Sequence, residues 1–223
     1  MIPFKDENPT RTFPFFTITI IVLNVLVFFV EMFHPSGMKA LVYKYGAIPR
    51  NLLSMSDNQQ VPAILTIFTS MFMHGGLLHI SGNMLYLWIF GNNIEDRLGH
   101  FRFLLFYMLS GIVAVYANAI ASPSSQIPMI GASGAVSGIL GAYLLLYPQA
   151  RVHTLIFFGF FIQIIRVPAL LVIGLWGFIQ VISGIISKGQ AAQGGVAWFA
   201  HIGGFLFGLL TIYLWVPEKR RRD

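Results

Sequence analysis

Long apolar runs broken by short polar clusters organise this chain. Residues 15–33 are almost continuously apolar. A run of about 20 helical residues covers a hydrocarbon core of ~30 Å, so this stretch predicts a spanning helix. The rival, a signal peptide, has a shorter apolar core and a small-residue cleavage site. His34-Pro35-Ser36 is a poor one, so the first helix is read as retained. Five more spans are predicted at about 77–94, 101–121, 132–147, 168–187 and 197–216.

The connections differ in character. Residues 34–76 hold Lys39, Lys44, Arg50, Asp57 and a polar run from Ser54 to Gln60, yet Val61–Met73 is apolar and too short to span. Loops this long are usually functional or disordered; the apolar patches favour a structured loop lying in the interface. Residues 1–14 read as a short tail on the membrane surface, and Ile94–His100 as a tight polar turn. Residues 150–167, bounded by Arg151 and Arg166, read as an interfacial or re-entrant piece, and Lys188–Gly195 as a small polar loop. The expected fold class is an all-α membrane protein. It has six transmembrane helices over residues 15–217, a long structured loop between the first two, and a basic tail at 218–223.

Composition agrees. The chain is 56% hydrophobic and 10% charged, against roughly 25% charged in soluble domains. Its net charge of +6 is therefore read as a topology signal and not as nucleic-acid binding. Ten of the 14 Lys and Arg fall on the side of the two termini, which predicts cytoplasmic termini. Ser133, His79, Asn83 and His201 then share the outer side of the bilayer. Cysteine is absent, which removes disulfides, thiol catalysis and Cys-ligated metal.

Polar residues inside spans are functional candidates by default. Among the acids, only Glu31 lies in a predicted span, near its end. That disfavours a paired-aspartate protease and a carboxylate-driven transporter, and the His-Glu-x-x-His metal signature does not occur. His79 and Asn83 stand four apart and face one side of a helix. As a pair they allow two readings: hydrogen bonds to neighbouring helices, or two donors aimed into one cavity, as a developing oxyanion requires. His201 is followed at three and seven residues by Gly204 and Gly208, while Gly134 and Gly138 stand four apart behind Ser133. Small residues at this spacing let helix backbones approach closely. The fourth and sixth helices are thus expected to meet, with Ser133 and His201 at the mouth of the contact. A serine hydroxyl needs a general base, and neutral imidazole suits that near neutral pH. With no acid in reach, the natural arrangement is a Ser–His dyad. A helix N-terminus at Ser133 adds free backbone N–H groups for an oxyanion.

These residues resemble the rhomboid intramembrane serine proteases, from the long first loop to the sixth span. Gly131-Ala132-Ser133-Gly134 resembles the family's G-x-S-G nucleophile motif. Ala200-His201-Ile202-Gly203-Gly204 with Gly208 resembles its A-H-x-x-G-x-x-x-G base motif. His79 to Asn83 resembles its H-x-x-x-N oxyanion motif. Glu95-Asp96-Arg97-Leu98-Gly99 resembles its structural E-x-R-x-G turn, and His74 a histidine that supports the long loop. The resemblance implies a rhomboid-like bundle with Ser133 as nucleophile and His201 as base. His79, Asn83, Gly131 and the Ser133 backbone N–H would form the oxyanion and substrate-binding site. His74, Glu95, Arg97, Gly204 and Gly208 would act as structural support. It implies single-span membrane-protein substrates surrounded by lipid, no metal or cofactor, and a lateral gate made by the fifth helix and the 188–195 loop. The expected location is the bacterial cytoplasmic membrane. One departure stands out: some relatives stack a tyrosine on the base histidine, and here that position is Ser137. The alternatives are a non-catalytic rhomboid-like binder of membrane proteins and a small transporter. The presence of both serine and histidine speaks against the first, and the lack of an inverted repeat against the second.

Overall fold

The structure, a computed structural model, describes residues 2–54, 59–158, 161–187 and 196–218. The expected 188–195 loop, part of the 54–60 polar run and the tail beyond Glu218 lie outside the described residues.

Helix α1 (Phe15–Phe33) coincides with the first predicted span. The long connection carries three short helices, α2 (Gly37–Tyr45), α3 (Pro49–Ser54) and α4 (Ala63–Thr69). A 3₁₀ turn, Ser70–Phe72, ends it. The second span is the continuous segment Leu77–Leu98, set at 82° to the helical piece before it. It comprises α5 (Leu77–Tyr86), a π-helical turn (Leu87–Gly91) and α6 (Asn92–Leu98). Then follow α7 (His100–Ala121), α8 (Ser133–Leu146), α9 (Ala169–Ser187) and α10 (Trp198–Trp215). By length and composition α1, α7, α9 and α10 can each cross a membrane, the bent pair makes a fifth segment, and α8 is a shorter apolar helix. The protein is an integral membrane protein with a mostly helical bundle.

Helix α8 is the centre. Ten of its 14 residues, Gly134 to Tyr143, are buried. Helices in lipid gain little from the hydrophobic effect against one another, so close backbone packing must hold them. The seam between α8 and α10 has that form. A Cβ on Gly204 would collide with the Gly134 carbonyl oxygen, one on Gly208 with that of Gly138, and one on Gly141 with that of Phe205. Large buried rings from the neighbouring spans, Phe90, Phe103, Phe106 and Tyr107, fill the space around Tyr143, Ile139 and Leu140.

Three segments differ from expectation. The 94–100 stretch is not a tight turn throughout. Helix α6 runs to Leu98, and the reversal falls on Gly99 alone, at φ +81°, where a side chain would be strained. Residues 150–167, expected as an interfacial or re-entrant piece, form a β-hairpin, β2 (Arg151–Phe158) and β3 (Phe161–Pro168). The N-terminal residues, expected as a short surface tail, begin with a strand. Strand β1 (Ile2–Asp6) pairs antiparallel with β2, Ile2 opposite Leu155 and Asp6 opposite Val152. The physical reason lies in alternation: Val152 and Thr154 turn inward and are fully buried, the period-2 pattern of a strand packed on one face.

This sheet and the reversal at Gly99 lie at the end of the bundle opposite Ser133, and the carboxylates there are well partnered. Glu95 is buried. Its two oxygens accept the backbone N–H groups of Phe16 (2.9 Å) and Thr17 (2.8 Å) and the Thr17 hydroxyl (2.7 Å), and His100 Nδ1 stands 2.6 Å away. The carboxylate thus satisfies the orphan donors that begin α1 and complements its dipole. Asp6 Oδ2 accepts from Asn93 Nδ2 (2.8 Å) and the Tyr143 hydroxyl (2.6 Å).

Candidate active site

Ser133 is the first residue of α8. The strand-like segment before it is fixed from two sides. Ala47 and Met129 exchange backbone hydrogen bonds of 3.0 and 2.8 Å, and Gly131 N–H donates to the Ser70 carbonyl at 2.8 Å. The long loop therefore sets the approach to the serine. Gly131 sits at φ +121°, and a Cβ there would stand 2.7 Å from His79 Nε2 and 3.5 Å from Ser133 Oγ. Only glycine meets both demands.

His201 lies in the first turn of α10. Its Nε2 stands 2.8 Å from Ser133 Oγ. The backbone seam of Gly134 with Gly204 lies one residue past Ser133 and one turn below His201, which is why the pair meets at its mouth. The other ring nitrogen, Nδ1, stands 2.7 Å from Gln180 Oε1 of α9. Trp176 and Trp198 flank the imidazole, with ring centroids at 6.1 and 6.2 Å. These contacts occupy the role left open at Ser137, whose hydroxyl donates to the Ser133 carbonyl at 2.6 Å and is fully buried. A second hydroxyl one turn below the serine is therefore spent on the helix backbone and does not compete for His201.

His79 Nδ1 accepts from Gly75 N–H at 3.3 Å. With Nδ1 acting as acceptor, the ring proton belongs on Nε2, the atom beside Gly131. Asn83 is buried one turn further along α5, and its Nδ2 has no protein partner. His74 is fully buried with its ring 5.0 Å from that of His79; its backbone N–H donates to Glu31 Oε2 at 3.1 Å. Both ring nitrogens of His74, and Glu31 Oε1, lack protein partners. Glu95, Gly204 and Gly208 lie in the packing described above. Arg97 lies on α6, far from the serine in the fold, with Nε buried and unmatched.

Sequence reasoning missed four contributors: Gln180, Trp176, Trp198 and Glu31. Glu31 carried a signal, being the one acid in a predicted span. Gln180 is the one amide in a helix whose other polar side chains are two serines, and that too was visible. Nothing in the pattern marked which neighbour either would face.

A void of about 10 Å³ adjoins Ser133, lined by Met71, Gly111, Ala114, Gly134 and Ala200 among others. That is about the space of one water molecule. A cavity of about 590 Å³ lies elsewhere, against α2 and α3, with Lys44, Arg50, Gln59 and Gln126 on its walls; it shares no lining residue with the void at Ser133. Among the described residues no cluster of three or more His, Cys, Asp or Glu could hold a metal ion.

A polytopic helical membrane protein with a serine and an imidazole in contact at one end of its bundle defines the class. The chain belongs to the rhomboid family: the Rhomboid domain matches residues 62–218. It is similar to the rhomboid protease GluP of Bacillus subtilis (strain 168), 32% identical over 209 residues, covering 93% of this chain and 35% of that protein. It is also similar to the mitochondrial Rhomboid protein 1 of Saccharomyces cerevisiae, 30% identical over 71% of this chain and 43% of that protein. A chloroplastic Rhomboid-like protein 11 of Arabidopsis thaliana is 28% identical, over 74% and 57% respectively. The chain thus spans between about a third and about three fifths of the length of these relatives.

Proposed function

We propose that the chain is an intramembrane serine endopeptidase working through a Ser133–His201 dyad. The observation that carries this is the 2.8 Å approach of His201 Nε2 to Ser133 Oγ, within reach for direct proton transfer. In this reading Nε2 takes the hydroxyl proton as Oγ attacks the scissile carbonyl. The carbonyl oxygen becomes an oxyanion beside three donors: the unpaired N–H at the start of α8, His79 Nε2–H and the free Asn83 amide. Collapse of the tetrahedral intermediate breaks the C–N bond, and the imidazolium hands its proton to the leaving amine. Water then enters, His201 takes its proton, and hydrolysis of the ester frees Ser133. Donors already fixed before reaction begins need no reorganisation as charge develops.

The substrate class is single-span membrane proteins, cut in or near the outer part of their helix while both partners sit in lipid. No cofactor takes part. The charge asymmetry supports cytoplasmic termini and a site near the outer face, as in a bacterial cytoplasmic membrane. The name of the Bacillus relative, a rhomboid protease, supports the same activity.

The test uses purified full-length protein and a fluorogenic transmembrane substrate in proteoliposomes. Ser133→Ala and His201→Ala are expected to abolish cleavage, and a fluorophosphonate is expected to label the parent at Ser133. Cleavage by Ser133→Ala at the parental rate would falsify the reading. Absence of labelling, with no cleavage by the parent, would favour a membrane-protein binder instead.

A further inference from the structure

The base histidine has a partner that the dyad does not use. Gln180 is buried, on the inward face of α9. Its amide is oriented by its own helix: Nε2 donates to the Trp176 carbonyl at 3.2 Å. Oε1 is therefore the atom that faces His201, at 2.7 Å from Nδ1. A carbonyl oxygen only accepts, so Nδ1 must carry the proton. The neutral ring then has its lone pair on Nε2, aimed at Ser133 Oγ. The opposite tautomer would set an Nδ1 lone pair against the Gln180 carbonyl and an N–H against the serine, leaving no base.

We propose that Gln180 is a positioning residue of the site: its side-chain carbonyl holds His201 in the Nδ1–H tautomer and so makes Nε2 the acceptor for the Ser133 proton. It does from a neutral amide what a carboxylate does in a Ser-His-Asp triad, which suits a span where a charge would be costly.

The inference has a second half, carried by where Gln180 resides. Helix α9 buries five of its 19 residues: Ala169, Val172, Ile173, Gln180 and Gly184. Near the site it meets α10 through Trp176, beside the His201 and Phe205 rings, and through Gly184, beside Trp198 and Ile202. Ser133 and His201 sit on α8 and α10, locked by the glycine seam, and the side-chain oxyanion donors sit on α5. The tautomer-setting oxygen comes from α9, as does the Trp176 ring beside His201. Seating of α9 is thereby a condition for a competent base.

The inference rests on the protease reading, and its test separates the two. Full-length parent, Gln180→Leu and Gln180→Glu are compared in proteoliposomes by steady-state kinetics with the transmembrane substrate. In the same samples the His201 tautomer is read by ¹⁵N NMR of labelled histidine, with His201→Ala assigning the signal. Gln180→Leu, an apolar change in an apolar helix, is expected to lower kcat by about 10- to 100-fold with KM within about twofold. Its His201 signal is expected to split between the two tautomers. Gln180→Glu keeps an acceptor oxygen and is expected to retain the single tautomer and recover most of kcat. A Gln180→Leu protein with parental kcat, or with the parental tautomer whatever its rate, overturns the proposal. A parent that cleaves nothing sinks the protease reading alone, since the NMR comparison needs no turnover.

Discussion

The two ends of the bundle treat their buried carboxylates and amides differently. At the end that carries the sheet, Glu95 and Asp6 have their oxygens taken up by backbone N–H groups, a tyrosine and an asparagine. At the end that carries Ser133, Asn83 Nδ2, both ring nitrogens of His74 and Glu31 Oε1 are buried with no protein partner. An unmet buried polar group costs about 1–3 kcal/mol; Arg97 Nε is one such atom at the first end, and the four at the second store the larger cost. The difference separates holding from acting. Saturated groups fasten one element to another; unsaturated donors wait for charge that arrives with a reaction, or for water that feeds it. Stability and catalysis should therefore respond to mutation at different ends.

That contrast breaks most sharply at Asn83. Asn83→Ala removes a free donor, so it is expected to lower kcat by about 10- to 1000-fold, the scale of one oxyanion contact, while the thermal midpoint holds or rises. A fall in midpoint with unchanged kcat would show that Asn83 is a structural hydrogen-bonder, the plainer of the two readings open to it from sequence.

Glu95→Ala should do the reverse. It strips three acceptor contacts from the start of α1 and leaves the Phe16 and Thr17 N–H groups orphaned. A loss of roughly 2–4 kcal/mol is expected, read as a lower thermal midpoint in detergent, with kcat below that midpoint within about twofold of the parent. A large kcat defect in protein that is still folded would mean the two ends are not independent.

The smallest effect is expected at Asp6, on the strand outside the spans. Burial pushes its carboxyl above the ordinary 3.8, outweighing the Tyr143 and Asn93 hydrogen bonds that pull it down. An acid whose folded pKa is raised binds its proton more tightly folded than unfolded. Its contribution to stability is then greatest below 3.8 and declines as pH rises through the raised folded value. Asp6→Asn keeps an oxygen to accept from Asn93 and Tyr143 and cannot ionise. The thermal midpoint of the variant is expected to fall less than that of the parent as pH is raised from 4 towards neutral. Parallel curves for the two proteins would remove Asp6 from the account.

Several parts of this molecule were legible along the chain. The first span is predicted over 15–33 and is found there, the last four agree within about a residue, and the second runs on past its predicted end at 94 to Leu98. The meeting of Ser133 and His201 could be anticipated because both stand beside glycines at four-residue spacing, and only a close backbone seam gives such spacing a purpose. The hairpin was hidden. Its apolar residues around 155–162 read as a piece of membrane segment, and the alternation that marks a strand shows only towards its two outer ends. Strand β1 had no local signal at all, since its partner lies about 150 residues away. Ile94–His100 looked like a turn because its residues are polar, but the polarity serves a helix whose Glu95 caps another helix.

The sequence by itself determined that this is a membrane bundle, roughly where each helix begins and ends, and which serine and histidine to watch. Those are local properties: in lipid, each segment must satisfy its own backbone, so length and composition suffice to announce it. Tertiary structure alone decided which way each helix is turned. That rotation brings Gln180 to His201, sets Glu31 beside His74 and places Glu95 beneath α1. A single polar side chain on an apolar helix has every direction open to it until its neighbours are packed, and packing is a property of the whole bundle.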